Sequence, residues 1–378
     1  MNSIVSFKDI DIARDGTLRC GVWRDGSQSD FYIRLPYSFE PEADLVVAAF
    51  VAIVGTAFEQ IHIDLPIGPE QKDSLEAWSR SQIVAHQGSD VRRRAGFRSA
   101  LNFSGGFDSL AARVLEPHAE LISLDFGGRF SRERKFFERF DPYVLETNLV
   151  DIGLNRYAWS FMGIGLLLMR DELQLGAYSF GSIMAGTARR LAEIPIDQRQ
   201  SGLGPAEYFG MRVANPVAGL SEIASMKLVA LTRPDLLGDI LKSVALPQEE
   251  KYVRKFQMLS AVLHDLEISV DLSTALPKRP QGMEWGYSSA SDLSSLYTMT
   301  VLGVEQVLES YPKGIPAPFT EFARDQSMEF MNRINPHAYS GVPAKQLARW
   351  YGRLIEHGVL PFEYQDWRDM SATMSLFK

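Results

Sequence analysis

Cysteine is almost absent from the sequence, because its 378 residues contain only one, Cys20. A single thiol cannot form an intrachain disulfide framework, and it cannot supply a zinc site built from several cysteines. Long apolar runs are missing too, since the most apolar stretch, residues 44–58, falls short of the ~18 residues that suggest a membrane span. We therefore expect a cytoplasmic protein with no zinc, no membrane partner and a buried helix at residues 44–58.

Several common motifs of nucleotide binding and catalysis are absent as well. No GxxxxGKS or GxxxxGKT segment occurs, which excludes a Walker-type loop, and the GxG pairs that begin at Gly163 and Gly202 are not completed as GxGxxG. The lack of a GxSxG elbow argues against a serine hydrolase. The six histidines form no HxxxH or HxH pair, so structural or surface roles are favoured over metal binding.

Positive charge is in short supply. The 39 lysines and arginines are outnumbered by 47 aspartates and glutamates, which gives a net charge of −8. This balance argues against broad nonspecific binding to nucleic acid, although it allows a local basic pocket for ATP. At this length we expect two or three domains.

One stretch, Leu101–Leu115, carries the strongest functional signal. It reads LNFSGGFDSLAARVL, in which a short apolar run is followed by two glycines and then by a helical pattern. The first amides of a helix have no partner within the helix, and its dipole places partial positive charge there, so this order of elements is typical of an anion site. Gly105 and Gly106 allow backbone N–H groups to close around phosphate oxygens. Asp108 fits such a site if Mg²⁺ accompanies the phosphates. An ordinary helix that begins after a glycine turn is the alternative.

The hexapeptide SGGFDS resembles the SGGxDS pyrophosphate loop of the PP-loop ATP pyrophosphatases. This superfamily includes asparagine synthetase, GMP synthetase and 7-cyano-7-deazaguanine synthase. Three later segments look like motifs of the last group: residues 125–129 (DFGGR), 215–223 (NPVAGLSEI) and 251–256 (KYVRKF). The resemblance covers residues 99–262. The four zinc-binding cysteines of that group have no counterpart here, and residues 181–186 replace the segment that helps that group to recognise its deazaguanine acid.

The resemblance implies that the chain binds ATP and Mg²⁺, and it suggests roles for particular residues. Asp108 would coordinate Mg²⁺, and Asp125 would lie near the ribose or the substrate. Taken singly, an arginine or lysine among the residues named below is more typical of the protein surface. The uncharged residues among them also fit ordinary turns or strand ends. The residues implicated in binding ATP are Ser104, Gly105, Gly106, Phe107, Ser109, Asp125, Arg129, Gly181 and Ser182. Those implicated in catalysis are Asp108, Arg254 and Lys255, of which the two cations are candidate charge partners for phosphate.

Strand and helix patterns alternate after residue 99, which indicates a parallel α/β sheet. The predicted fold class is therefore α/β, with a Rossmann-like PP-loop domain of HUP type at residues 99–265. An α+β domain is predicted at residues 1–98, and a helical region at residues 266–378. Within this plan, single long helices are predicted at residues 155–174 and 319–333.

The function that the resemblance implies is that of an ATP-dependent ligase or amide-forming enzyme. Such an enzyme adenylates a carboxylate or amide of a small molecule or protein, releases pyrophosphate, and passes the activated group to ammonia or an amine. One alternative is a degenerate PP-loop protein that binds nucleotide or scaffolds a partner without turnover. Another is an enzyme that modifies tRNA or a nucleobase, which the net charge disfavours. A homodimer is compatible with each of these alternatives.

Overall fold

The computed structural model describes residues 3–184, 202–272 and 284–377. Within these residues the chain is an α/β protein that divides into two compact units. The first unit comprises Met1–Ser104, His118–Phe180 and Ser201–Ala214, and the second comprises Gly105–Pro117, Gly181–Gln200 and Asn215–Lys378. These boundaries differ from the predicted domain boundaries at residues 98 and 265.

The first unit is built on one mixed sheet, which has ten strands within the described residues. Their order across the sheet is β10-β9-β6-β7-β8-β3-β2-β1-β4-β5. Strands β6 to β10 form one parallel block and β1, β4 and β5 form another, while β2 and β3 connect the two blocks by antiparallel pairing. The predicted N-terminal segment therefore adds its strands to the same sheet as the segment that follows it. In chain order the strands are β1 (Ile4–Ile12), β2 (Thr17–Arg24), β3 (Ser27–Arg34), β4 (Gln60–Ile67), β5 (Gln82–Gln87), β6 (Arg98–Asn102), β7 (Glu120–Asp125), β8 (Tyr143–Thr147), β9 (Leu175–Ser179) and β10 (Arg212–Val213).

The apolar stretch at residues 44–58 forms the core helix of this unit, as its composition predicts. Helix α1 (Ala43–Val54) is buried at every position from Asp44 to its end. The ring of Phe50 stacks on Phe7 with centroids 4.5 Å apart, so the helix packs directly against the sheet. The other helices of the first unit are α2 (Pro69–Ser79), α4 (Ser131–Phe137), α5 (Ile164–Leu168) and α6 (Gly204–Tyr208).

The segment predicted as one long helix, residues 155–174, is irregular instead, and that prediction is wrong. It contains 3₁₀ turns at Leu154–Arg156 and Trp159–Gly163, followed by the short helix α5. The break coincides with Gly163, at the junction of the second 3₁₀ turn and α5, where a Cβ would lie 2.4 Å from the Cδ2 atom of Leu203. Glycine disfavours a helix by about 1 kcal/mol relative to alanine, so Gly163 weakens a continuous helix at this point.

A buried ion-pair cluster fixes the chain just before β6. Arg93 donates to both carboxylate oxygens of Asp44, at 2.5 and 2.8 Å, and its Nε donates to Asp171 at 2.8 Å. The side chains of Arg93 and Asp44 are each only 5% exposed. Loss of Asp44 would remove two of these hydrogen bonds and leave the buried guanidinium of Arg93 with Asp171. Arg93 therefore has a structural role within a run of arginines that the sequence places before the loop.

The second unit is helical within its described residues. Several of its helices have side-chain caps, including the Ser221 hydroxyl, which accepts a hydrogen bond from Ala224 N at 3.0 Å. The helix predicted at residues 319–333 is shorter than expected, because Gln326 is already extended and only a 3₁₀ turn, Glu329–Asn332, follows. The helices are α3 (Phe107–Leu115), α7 (Glu222–Thr232), α8 (Leu237–Val244), α9 (Glu250–Asp265), α10 (Ser289–Leu302), α11 (Val304–Leu308), α12 (Ala317–Asp325), α13 (Ala344–Glu356) and α14 (Tyr364–Leu376).

Candidate functional site

The order of the parallel strands marks one edge of the sheet as a potential site. In the block β8-β7-β6-β9-β10, the first strand in chain order lies in the middle and is flanked by the second and the fourth. Open α/β sheets with this order bind ligands outside the carboxyl ends of the strands, at the point where the order reverses. Here that point falls between β6 and β9. The chain passes from β6 into the SGGFDS loop and from β9 into Gly181.

The loop has the local geometry of an anion site. Gly105 has a φ of +75°, a conformation that residues with a side chain rarely adopt, and Gly106 is the N-cap of α3. The Ser109 hydroxyl donates to the carbonyl oxygen of Gly106 at 3.0 Å, which braces the turn. Phe107 is buried and anchors the first turn of the helix, while Ser104 is exposed. The predicted order of strand, glycine turn and helix is therefore present.

Within the second unit, Gly181 lies against the start of α3. Its φ is +61°, and a Cβ at this position would lie 3.1 Å from Ser109 Cα and 3.3 Å from the Asp108 carbonyl oxygen. The next residue, Ser182, has an exposed side chain, and its carbonyl oxygen accepts a hydrogen bond from the Asn215 amide. The structure thus brings together two of the predicted segments, and Asn215 of the NPV sequence supports the second.

A cluster of charged side chains lies beside the loop in the same unit. Glu222, in the first turn of α7, accepts a hydrogen bond from Lys255 Nζ at 2.5 Å through Oε1 and one from Arg254 at 3.2 Å through Oε2. The Lys255 ammonium group lies 5.9 Å from the ring centroid of Phe107, and its charge acts on Asp108. The three residues with predicted catalytic roles, Asp108, Arg254 and Lys255, therefore belong to one cluster.

Burial and charge act against each other in this cluster. Burial raises the pKa of Asp108 to about 6, although the Lys255 cation opposes part of the rise. Burial also favours the neutral form of Glu222, but the two cations outweigh it and hold the pKa of that carboxyl below its ordinary value. For Lys255, burial is in turn outweighed by Glu222 and Asp108, which raise the pKa of the ammonium group. The shifts therefore favour the charged forms of Glu222 and Lys255, whereas they favour the neutral form of Asp108.

The donor atoms present fit a magnesium ion only in part. The Oδ1 atom of Asp108 is buried and has no hydrogen-bond partner in the described part of the chain, so it offers a free carboxylate ligand. No group of three or more histidine, cysteine, aspartate or glutamate side chains capable of holding a metal is found among the described residues. Mg²⁺ usually keeps several waters and binds through one or two carboxylates together with substrate phosphates, which matches a single ligand.

Asp125 lies in the first unit, where both of its carboxylate oxygens already have partners. Oδ1 accepts from Gly127 N at 2.9 Å, and Oδ2 accepts from Arg134 at 2.6 Å. Arg134 also donates to Glu146 at 2.6 Å, so it ties together the ends of β7 and β8. The predicted role of Asp125 near a ribose or substrate stays a prediction. The side chain of Arg129, also predicted to bind ATP, lies outside the described residues.

Glu222 is the member of the cluster to which the sequence assigned no role. A signal was available, because Glu222 lies in the segment NPVAGLSEI that resembles a motif of the 7-cyano-7-deazaguanine synthase group. The pairing of Glu222 with Lys255 joins residues 33 positions apart, on α7 and α9. No periodicity in the sequence predicts such a contact.

The described residues form an α/β protein with a large, mostly parallel sheet, consistent with a Rossmann-like fold, and a glycine turn follows the first strand of its parallel block. Comparisons with protein-family models, curated proteins and solved structures find no match for this chain. No helix within the described residues is long and apolar enough to cross a membrane.

Proposed function

We propose that the protein is an ATP-dependent ligase of the PP-loop type, which adenylates a carboxylate or amide and releases pyrophosphate. The observation that carries this proposal is the SGGFDS sequence itself, placed between the end of β6 and the first turn of α3. Neither the strand order alone nor the glycine turn alone selects this reaction. Their combination with an acidic residue in the first helical turn supports a site for phosphate and a divalent cation.

In the proposed reaction, an oxygen of the substrate attacks the α-phosphorus of ATP, and the bond from that phosphorus to the β,γ-pyrophosphate breaks. Ammonia or an amine then attacks the activated carbon, and AMP leaves. The amides and hydroxyls of Ser104–Ser109 would bind the pyrophosphate, and Asp108 would hold Mg²⁺, which offsets charge on the leaving group. Arg254 and Lys255 would supply positive charge for the same purpose.

Isotope exchange between ATP and pyrophosphate tests this proposal. The full chain is incubated with Mg·ATP, labelled pyrophosphate and pools of small carboxylic acids, and incorporation of label into ATP is measured. We expect exchange that depends on a carboxylate, and we expect it to disappear in Asp108→Asn. A matched control is Asp239→Asn, which replaces an aspartate in the first turn of α8. Nucleotide that binds without any release of pyrophosphate would contradict turnover.

Nucleotide binding without turnover is the second candidate, and one observation favours it. The Lys255 ammonium group already offsets part of the charge of Asp108, so this carboxylate depends less on a metal ion. A protein of this kind would sense nucleotide or support a partner. It would bind an ATP analogue as well as ATP, and no carboxylate would promote exchange.

A further inference from the structure

Glu222 is held rigidly and divides its two oxygens between two cations. It occupies the first turn of α7, where the capping hydroxyl of Ser221 accepts from the backbone and donates to the carbonyl oxygen of Met331. Oε1 receives the Lys255 ammonium group at 2.5 Å, and Oε2 receives Arg254 at 3.2 Å. Because both oxygens are used and the helix start is capped, this carboxylate fixes the position of Lys255.

Lys255 has two carboxylates to choose between. The negative charges that act on its ammonium group are those of Glu222 and Asp108. The hydrogen bond goes to Glu222, whereas Oδ1 of Asp108 is buried without a partner in the described part of the chain. A buried carboxylate oxygen that lacks a donor is costly, so a cation that reaches it gains stabilisation that the protein alone does not provide.

Arg254, unlike Lys255, does not depend on Glu222 and Asp108 for a carboxylate partner. Its Nε lies 3.3 Å from Oε1 of Glu250, so it keeps a second carboxylate if Glu222 is neutralised. Lys255 would then have only Asp108. Electrostatic attraction in a buried setting is several-fold stronger than in water, so the ammonium group would move toward that carboxylate.

We propose that Glu222 is a positioning residue that keeps Lys255 away from Asp108 and so leaves the Asp108 carboxylate open to the divalent cation that accompanies the nucleotide. This inference rests on the proposed function, because it requires a nucleotide site at the loop. Glu222 itself touches neither nucleotide nor metal in this arrangement. Its effect passes entirely through Lys255.

The test measures how strongly Mg²⁺ tightens the binding of a nucleotide. The dissociation constant of the non-hydrolysable analogue adenosine 5′-(β,γ-imido)triphosphate is determined with excess Mg²⁺ and with EDTA, and the ratio is the coupling between cation and nucleotide. In wild type we expect coupling of at least about tenfold. In Glu222→Gln the ratio falls toward one, because Lys255 occupies the Asp108 carboxylate.

A second variant separates positioning from mere structural support. In the double variant Glu222→Gln, Lys255→Met the competing ammonium group is gone, so the Mg²⁺ coupling recovers even if the analogue binds more weakly overall. Glu250→Gln is the matched control, because it removes a carboxylate from Arg254 but leaves the bond between Lys255 and Glu222. We expect wild-type coupling in this control.

Each outcome bears on the inference. Wild-type coupling in Glu222→Gln, or no recovery in the double variant, overturns the positioning role while leaving the proposed function intact. Wild-type protein that binds no analogue under either condition overturns both. If Glu222→Gln does not fold, Glu222→Asp is used, since it keeps the charge but withdraws it by one methylene, and an unchanged coupling ratio there overturns the inference equally.

Discussion

Replacing Gly181 by alanine is expected to weaken nucleotide binding more than its effect on the backbone alone would explain. The residue has a φ of +61°, and the left-handed region costs a residue with a side chain about 1–2 kcal/mol. The new methyl group would also lie 3.1 Å from Ser109 Cα and 3.3 Å from Ser109 N. These are backbone atoms of the first turn of α3, which cannot rotate away, so the turn itself must shift.

The matched control is Gly358→Ala. Gly358 has a φ of +71°, and a Cβ there would meet nothing within 4 Å, so this variant has the backbone cost alone. The free energy of unfolding, from urea denaturation, should fall by about 1–2 kcal/mol in Gly358→Ala. It should fall further in Gly181→Ala, because the displaced turn loses packing.

Calorimetric titration with Mg·ATP then separates the two variants. We expect the dissociation constant of Gly181→Ala to rise by about tenfold or more, equivalent to about 1.4 kcal/mol, while Gly358→Ala binds like wild type. Wild-type affinity in Gly181→Ala, or an equal loss of affinity in the two variants, would contradict this prediction.

Two further predictions concern charged groups away from the loop. Asp44→Ala leaves Arg93 buried without its bidentate partner, so the free energy of unfolding should fall by about 3 kcal/mol, whereas Asp64→Ala, which breaks an exposed pair, should cost less than about 1 kcal/mol. Equal losses in urea denaturation would contradict this. Burial raises the pKa of Asp292 to about 6, so the folded state binds this proton more tightly than the unfolded state, and stability falls as pH rises from about 4 to about 6. Asp292→Asn should lose that part of the pH dependence. If its urea midpoints match those of wild type between about pH 4 and about pH 6, Asp292 is not the group responsible.

The sequence predicted the elements whose signals are local. The predicted alternation of strands and helices after residue 99 is present in β6, α3 and β7, and the apolar stretch at residues 44–58 forms the core helix α1. Period, composition and turn residues determine such elements within a short window. The irregular segment at residues 155–174 was missed, because the close contact between Gly163 and Leu203 joins residues that lie far apart in the chain.

The candidate site divides in the same way. The order of glycine turn and helix depends on adjacent residues, so the sequence predicted it. The cluster around Glu222 depends on the meeting of α7 with α9, which no local pattern encodes. The pairing of β3 with β8 joins the first strands of the chain to the parallel block, and it is also a long-range contact.

Binding of Mg·ATP to the full chain is the direct test for a nucleotide site at the SGGFDS loop. Titration calorimetry on wild type and on Asp108→Asn uses the same concentrations, with circular dichroism as a check that both proteins are folded. We expect saturable binding to wild type and a loss of at least about tenfold in Asp108→Asn, which keeps the size and shape of the side chain. The absence of heat with every adenine nucleotide and magnesium, or equal binding by the two proteins, would contradict it.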